Sequence, residues 1–271
     1  MQKIEFTKMH GLGNDFVIID RRSNKIEIND NLIQKLSDRR TGAGCDQLIT
    51  INKPESDNAD VSIDIFNPAG DKAEACGNGT RCVAKILFDE NNKKTLKILS
   101  DAGMLIAKKV GDEISVNMGK MTTDWKKIPL SEEMDPLNIP ILVEGFDKGV
   151  AVNIGNPHIV FFGKSIENIN LNQLGPKIEK HNFFPNKTNV EFIEILNSNT
   201  IKMRVWERGV GVTLACGSGA CAAVYAGWKK NLIESRAEVQ LEKGSLHINI
   251  IDDEAIMTGP AEISYNGNIQ I

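Results

Sequence analysis

Two cysteines stand out by what surrounds them. Cys76 lies in the run Ala75-Cys76-Gly77-Asn78-Gly79, and Cys216 lies in the near-identical run Ala215-Cys216-Gly217-Ser218-Gly219. A helical stretch follows each run. The first places Cys82, Val83, Ile86 and Leu87 on one face; the second, Ala220 to Trp228, is small and apolar almost all round, as a helix buried within a domain is. A helix start offers unpaired backbone N–H groups and a partial positive charge. A thiol placed there is expected to fall below its usual pKa of about 8.5, so that thiolate is accessible near neutrality. Glycines after the cysteine let the backbone approach a ligand without a Cβ in the way, and the same N–H groups bind carboxylates. One short box thus supplies a proton acceptor or donor and half of an anion site.

Two such boxes suit one kind of chemistry. Inverting a tetrahedral Cα–H centre needs one group to remove the proton from one face and another to deliver a proton to the opposite face. A thiolate and a thiol do both without moving, and they exchange roles in the reverse direction. The α-proton of an amino acid is weakly acidic, so N–H groups aimed at the substrate carboxylate would take up the developing charge, more strongly in a dry site. The plainer reading, buried cysteines that pack as small hydrophobes, is preferred for Cys45, Cys82 and Cys221, whose surroundings do not repeat.

The repeat extends beyond the boxes. Gly13-Asn14 returns as Gly155-Asn156, and the alternating strand pattern Val61–Phe66 returns as Ile201–Trp206, both at nearly the offset that separates Cys76 from Cys216. Further strands are expected at Asp15–Asp20, Leu48–Ile51, Ile114–Met118, Ile159–Phe162, Val190–Ile195 and His247–Ile251. The period is far too long for a solenoid and reads as a duplicated domain in tandem. Residues 1–120 form the half with Cys76, to which the C-terminal tail 262–271 is a candidate addition, and residues 121–261 form the half with Cys216. Lys120–Pro140, with Pro129, Pro136 and Pro140 among scattered charges, reads as the linker. Homologous domains usually pack about a pseudo-twofold axis, which would face the two boxes across a cleft.

Bulk properties exclude other classes. With 271 residues, 41% hydrophobic, 25% charged and a net charge of −4, the chain is globular and lacks the basic surplus of a nucleic-acid platform. No apolar run approaches the roughly 20 residues of a membrane helix, and Met1–Phe16 has no signal-peptide core, so no nucleic-acid or membrane partner and a cytoplasmic location are expected. Five cysteines, an odd number without a C-x-x-C pair, read as reduced thiols rather than as disulfides or a metal site. No Walker A or dinucleotide fingerprint occurs.

The set Met9-His10-Gly11-Leu12-Gly13-Asn14-Asp15-Phe16, Asp46-Gln47, the two cysteine boxes, Gly155-Asn156-Pro157-His158 and Glu207-Arg208-Gly209 resembles the motifs of the diaminopimelate epimerase family, in that family's order and over nearly the whole chain. The resemblance implies an α+β fold of two pseudosymmetric domains, each a curled, barrel-like mixed sheet around a central helix. It implies interconversion of LL- and meso-diaminopimelate for lysine and peptidoglycan precursors, no pyridoxal phosphate or other cofactor, no metal, and a homodimer. Cys76 and Cys216 take the place of the family's catalytic cysteines. Gly77, Asn78, Gly217 and Ser218 would hold the reacting carboxylate by their backbone groups. Asn14, Gln47, Asn67, Asn156, Asn189, Glu207 and Arg208 would read the distal zwitterion, Glu207 accepting from its ammonium and Arg208 donating to its carboxylate. His158 would lie close to the thiols in a supporting role. Taken singly, each asparagine is as readily a turn residue. Cys45 before Asp46-Gln47 and Val212, where an acidic residue is common, depart from the family's pattern; Cys45 would add an oxidisable thiol near the cleft. Proline racemases and 4-hydroxyproline epimerases resemble this architecture, but their cyclic substrates have no distal zwitterion. A cleft protein that senses redox state without turnover is the alternative from another class.

Overall fold

A computed structural model describes residues 3–73 and 76–270. Glu74 and Ala75, the first residue of the first box, lie outside the described residues. The chain divides into two compact units, Met1–Val116 with Gly259–Ile271, and Asn117–Thr258.

The first unit opens with a hairpin of β1 (Lys3–Gly11) and β2 (Asn14–Asp20). Its two-residue turn holds Leu12 and Gly13 at φ 55° and 89°, the left-handed pair that matches strand twist in tight hairpins. Helix α1 (Asp30–Ser37) follows, capped by Asn29, then β3 (Gln47–Asn52), β4 (Val61–Phe66), β5 (Lys72–Ala73), helix α2 (Gly77–Glu90), β6 (Thr95–Ser100), β7 (Gly103–Val110) and β8 (Glu113–Lys120). β2 runs parallel to β3, β3 antiparallel to β4, and β4 parallel to β6, which continues through antiparallel β7 to β8. Val17, Ile19 and Leu48 pack with Leu32, Ile33 and Leu36 of α1, whereas Phe16 and Ile49 meet the start of α2. Strands covered on both faces have to be apolar on both faces.

The second unit repeats this plan with β9 (Val150–Asn153), β10 (Pro157–Gly163), helix α3 (Leu171–Glu179), β11 (Asn189–Asn197), β12 (Thr200–Glu207), β13 (Gly211–Thr213), helix α4 (Gly217–Lys229), β14 (Arg236–Leu241), β15 (Gly244–Ile251) and β16 (Glu254–Gly259). β10 is parallel to β11, β11 antiparallel to β12, β12 parallel to β14, and β14 antiparallel to β15. The register repeats too. Phe16 pairs with Gln47 as His158 pairs with Asn189, and Val61 pairs with Ile98 as Ile201 pairs with Val239. Helix α4 packs against β9, β10, β11, β12, β14 and β15, so it is enclosed by its own curled sheet. Its residues Ala220 to Gly227 are all buried, as their small size allows. The final strand, β17 (Glu262–Gln270), returns to the first unit and pairs with β1.

Three expectations need correction. Val61–Phe66 does not alternate, because Ser62 is buried; its hydroxyl accepts from the Glu55 N–H, so the 53–60 loop covers the face expected to meet water. Ile86 is only half-buried, while the first half of α2 is buried on all sides and includes Arg81. Lys120–Pro140 is no free linker: Ile128, Leu130 and Ile139 are buried in one cluster with Phe161, Phe192 and Ile178 of α3. Prolines there shape a packed segment on the α3 side of the second unit's sheet.

Candidate active site

Both cysteines are helix N-caps. Cys76 has φ −147° and ψ 104°, Cys216 has φ −124° and ψ 111°, and each is followed directly by its helix. The Gly79 N–H lies 3.4 Å from the Cys76 sulfur, and the Gly219 N–H lies 3.4 Å from the Cys216 sulfur. A sulfur thus fills the role usually taken by a serine or aspartate oxygen. Gly77, Asn78, Gly217 and Ser218 occupy the first turns, where backbone N–H groups have no partner within the helix. The five cysteines are present as thiols.

In the first unit the ends of β2, β3 and β4 gather amides beside the half-buried Cys76. Its thiol lies 3.9 Å from Oδ1 of Asn14, which also accepts from the Asn78 side chain at 3.1 Å. The Asn14 amide donates to Asp46 at 2.9 Å. Gln47 donates to Asn67 at 3.1 Å, and Asn67 donates to Asp71 at 2.6 Å. Buried Arg81 donates to Oδ1 of Asn78 at 2.9 Å, fixing the first turn of the helix from below. Asp15 accepts from Lys8 at 2.6 Å and from Arg39 at 2.7 and 3.0 Å. Burial pushes its carboxyl up, but the Arg39 and Lys8 bonds prevail and hold it well below the usual carboxylate range.

In the second unit Glu207 ends β12 and Arg208 begins the turn after it. Thr213 Oγ1 donates to Glu207. The Arg208 N–H is held by Oδ1 of Asn189 at 2.8 Å, and the Gly209 N–H by Glu179 at 3.1 Å, leaving the Arg208 side chain exposed. The other end of the Asn189 amide donates to the Pro157 carbonyl at 3.0 Å, so this buried side chain orients the turn. His158 is fully buried; its Nδ1 is 2.7 Å from Glu191 and its Nε2 is 2.9 Å from Asn156. Ser218 Oγ lies 3.5 Å from the Cys216 sulfur.

The expected low-pKa thiol is overturned at Cys216. Burial pushes this thiol well above its ordinary value, and the Glu207 and Glu191 carboxyls push it further. The bonds from Ser218 and the Gly219 N–H work the other way and lose. Loss of solvation in a site that is 4% exposed outweighs the partial charge of a helix end. Glu207 is pushed up by enclosure, against bonds from Thr213 and from the Cys216 thiol. Cys45 is not an accessible thiol either: it is buried in the α1 core beside Ser37, and that burial pushes it up. Val212 lies exposed on β13 opposite Trp206.

Reading the sequence did not single out Glu179, Glu191 or Thr213, and it quoted Asp46 only as part of a motif, with no role assigned. Glu191 left one trace: a carboxylate inside the apolar run Val190–Ile193. Among the described residues no group of three or more His, Cys, Asp and Glu side chains is placed to hold a metal ion, and no helix is long and apolar enough to cross a membrane.

A family model described as diaminopimelate epimerase matches residues 6–123 and 150–264. The diaminopimelate epimerase of Pelagibacter ubique (strain HTCC1062) is 43% identical over 275 residues, covering 99% of each chain. That of Carboxydothermus hydrogenoformans is 44% identical, covering 97% of this chain and 98% of its own. Among solved structures, a phenazine biosynthesis protein of the PhzF family from Enterococcus faecalis superposes with a TM-score of 0.74 at 15% identity, covering 100% of both chains. A hydroxyproline epimerase from Agrobacterium vitis does so with a TM-score of 0.70 at 12% identity, covering 98% of this chain and 92% of its own. Likeness at that distance concerns the fold alone. The near-complete sequence matches concern the lineage, and by them this chain belongs to the diaminopimelate epimerase family.

Proposed function

We propose that this protein interconverts LL- and meso-diaminopimelate without a cofactor, Cys76 and Cys216 serving opposite faces of the reacting carbon. The observation that carries the reading is the paired design of the boxes: each thiol caps a helix whose free N–H groups start at the next residue. Those groups, at Gly77, Asn78, Gly217 and Ser218, receive the substrate carboxylate and the charge that develops as the α-proton leaves. A single well-aimed donor of this kind is worth about 3 kcal/mol of barrier. Enclosure pushes the Cys216 thiol up, which suits it to start as the proton donor. After one turnover the roles are exchanged, and the reverse reaction starts from that form.

The distal zwitterion falls to the amides and to Glu207 and Arg208. Asn14, Gln47 and Asn67 present neutral polarity in the first unit. Asn156 and Asn189 do so in the second, where Glu207 supplies an acceptor for the ammonium and the exposed Arg208 guanidinium is available to a carboxylate. His158 supports the Cys216 half. A homodimer belongs to the same reading.

Proton exchange in D2O tests it. Reduced protein is mixed with LL-diaminopimelate and the α-proton signals are followed by NMR, with L-proline and trans-4-hydroxy-L-proline alongside. The expected result is loss of one α-proton with appearance of the meso isomer, and no exchange with the cyclic amino acids. Exchange with a cyclic substrate alone would overturn the substrate; no exchange at all would overturn the reaction.

A further inference from the structure

The two halves share a register, so corresponding positions can be compared side by side. Phe16 corresponds to His158, Gln47 to Asn189, and Ile49 to Glu191, all at one constant offset. Packing gives the same correspondence. A Cβ built on Gly79, in the turn that carries Cys76, would sit 2.5 Å from Ile49 Cδ1 and 3.3 Å from Phe16 Cε1. A Cβ built on Gly219, in the turn that carries Cys216, would sit 2.8 Å from Oε1 of Glu191. One cysteine turn therefore rests on two hydrocarbon side chains. The other rests on a carboxyl bonded to an imidazole.

Glu191 is an expensive residue to keep there. It is fully buried in β11, and one of its oxygens, Oε2, has no hydrogen-bond partner among the described residues. An unmatched buried carboxyl oxygen costs stability and calls for a role. Its other oxygen holds His158 at 2.7 Å, and His158 holds Asn156 at 2.9 Å.

We propose that Glu191 is a positioning residue that makes the two cysteine turns unequal: it braces the Cys216 turn with a buried carboxyl and orients Asn156 through His158. In the Cys76 half, Ile49 and Phe16 stand at the corresponding positions. This rests on the two-thiol reading above for its catalytic meaning, but not for its geometry. The titratable groups that bear on Cys216 from the strands enclosing α4 are Glu207 at the end of β12, Glu191 on β11 and, through Glu191 and Asn156, His158 on β10.

The first test needs no substrate. The rate at which iodoacetamide alkylates Cys216 is followed against pH by mass spectrometry of the peptide that carries it, in wild type, Glu191→Gln and Glu191→Asp. Glutamine keeps the shape and can still bond His158 but carries no charge. The expected result is alkylation of Cys216 about tenfold faster at pH 8 in Glu191→Gln, with its midpoint about one pH unit lower. Glu191→Asp, which keeps the charge, is expected to stay close to wild type and serves as the reference if the glutamine variant folds poorly. An unchanged midpoint in a folded Glu191→Gln, or an equal fall in both variants, overturns the proposal.

With diaminopimelate, kcat of Glu191→Gln is expected to fall about tenfold with KM changed less than about threefold. In the direction in which Cys216 donates, the alkaline limb of kcat/KM is expected to move to lower pH. Equal loss at every pH, with the limb unmoved, would reduce Glu191 to a packing residue. A wild type that exchanges no α-proton sinks the proposed function, while the alkylation profile still decides the role of Glu191.

Discussion

At the scale of single residues, the notable feature is what burial does to a thiol. Cys216 has the helix-start setting that lowers a cysteine, yet lost solvation and the Glu207 and Glu191 carboxyls push it up. For a two-base reaction this is useful, since one partner has to begin with a proton. Replacing Cys76 or Cys216 by alanine is expected to lower epimerisation by about a thousandfold or more. Thermal unfolding should shift by no more than a small cavity explains, about 1–2 kcal/mol. NMR exchange and calorimetry on the same samples check both parts, and a variant that turns over at near-wild-type rate removes that cysteine from the chemistry. Asp15 illustrates the opposite case, a carboxyl held down by Arg39 and Lys8. Because its folded pKa is depressed, its contribution is present above the unfolded value of about 3.9 and is lost as pH falls through the folded one. Asp15→Asn strands the buried Lys8 and is expected to cost about 3 kcal/mol at pH 7. Denaturant midpoints of the two proteins should converge as the pH is lowered; a gap that stays constant would refute the ion-pair account.

Helix starts and strand ends do the positioning at the next scale. The boxes work because the second glycine after each cysteine leaves room for what lies beneath: Ile49 and Phe16 in one unit, Glu191 in the other. Gly219→Ala would drive a methyl against a fixed carboxyl oxygen and within 3.3 Å of the Cys216 sulfur. It is expected to cost about 1–3 kcal/mol and to lower kcat more than it raises KM, because the cap itself is displaced. An alanine variant with wild-type kcat would show that the turn has slack. The turn at Glu207 and Arg208 is held by side chains from elsewhere, Asn189 of β11 and Glu179 of α3. Glu179 also accepts from the Trp206 indole at 2.7 Å, which ties α3 to β12.

Over the whole molecule, a repeat visible as short echoes proves to be a repeat of strand order and register. The copies have diverged where chemistry asks for a difference. His158 and Glu191 replace an aromatic and an aliphatic residue, and the segment from 121 to 149 packs on the α3 side of the second unit. Homodimer formation is expected to show as twice the chain mass in sedimentation equilibrium at micromolar concentration. A single species of one chain mass, in protein that still turns over substrate, would make the dimer dispensable.

The sequence by itself determined the duplication, the two cysteine-capped helix starts, the buried small-residue helix and most strands. Each of these is written in local spacing: a thiol followed by glycines, a run of alanines, a period-two apolar pattern. Asn14, Gln47 and Asn67 were legible only through the family's motifs, since an isolated asparagine reads as a turn. Only the tertiary structure decided the upward push on the Cys216 thiol, because burial is its main cause and the Glu207 and Glu191 carboxyls, brought in by β12 and β11, add to it. It likewise decided that the proline-bearing segment packs as core rather than spanning a gap, and that Glu191 lies beneath a helix start. Burial is a sum over neighbours from the whole unit, and no window of sequence contains that sum.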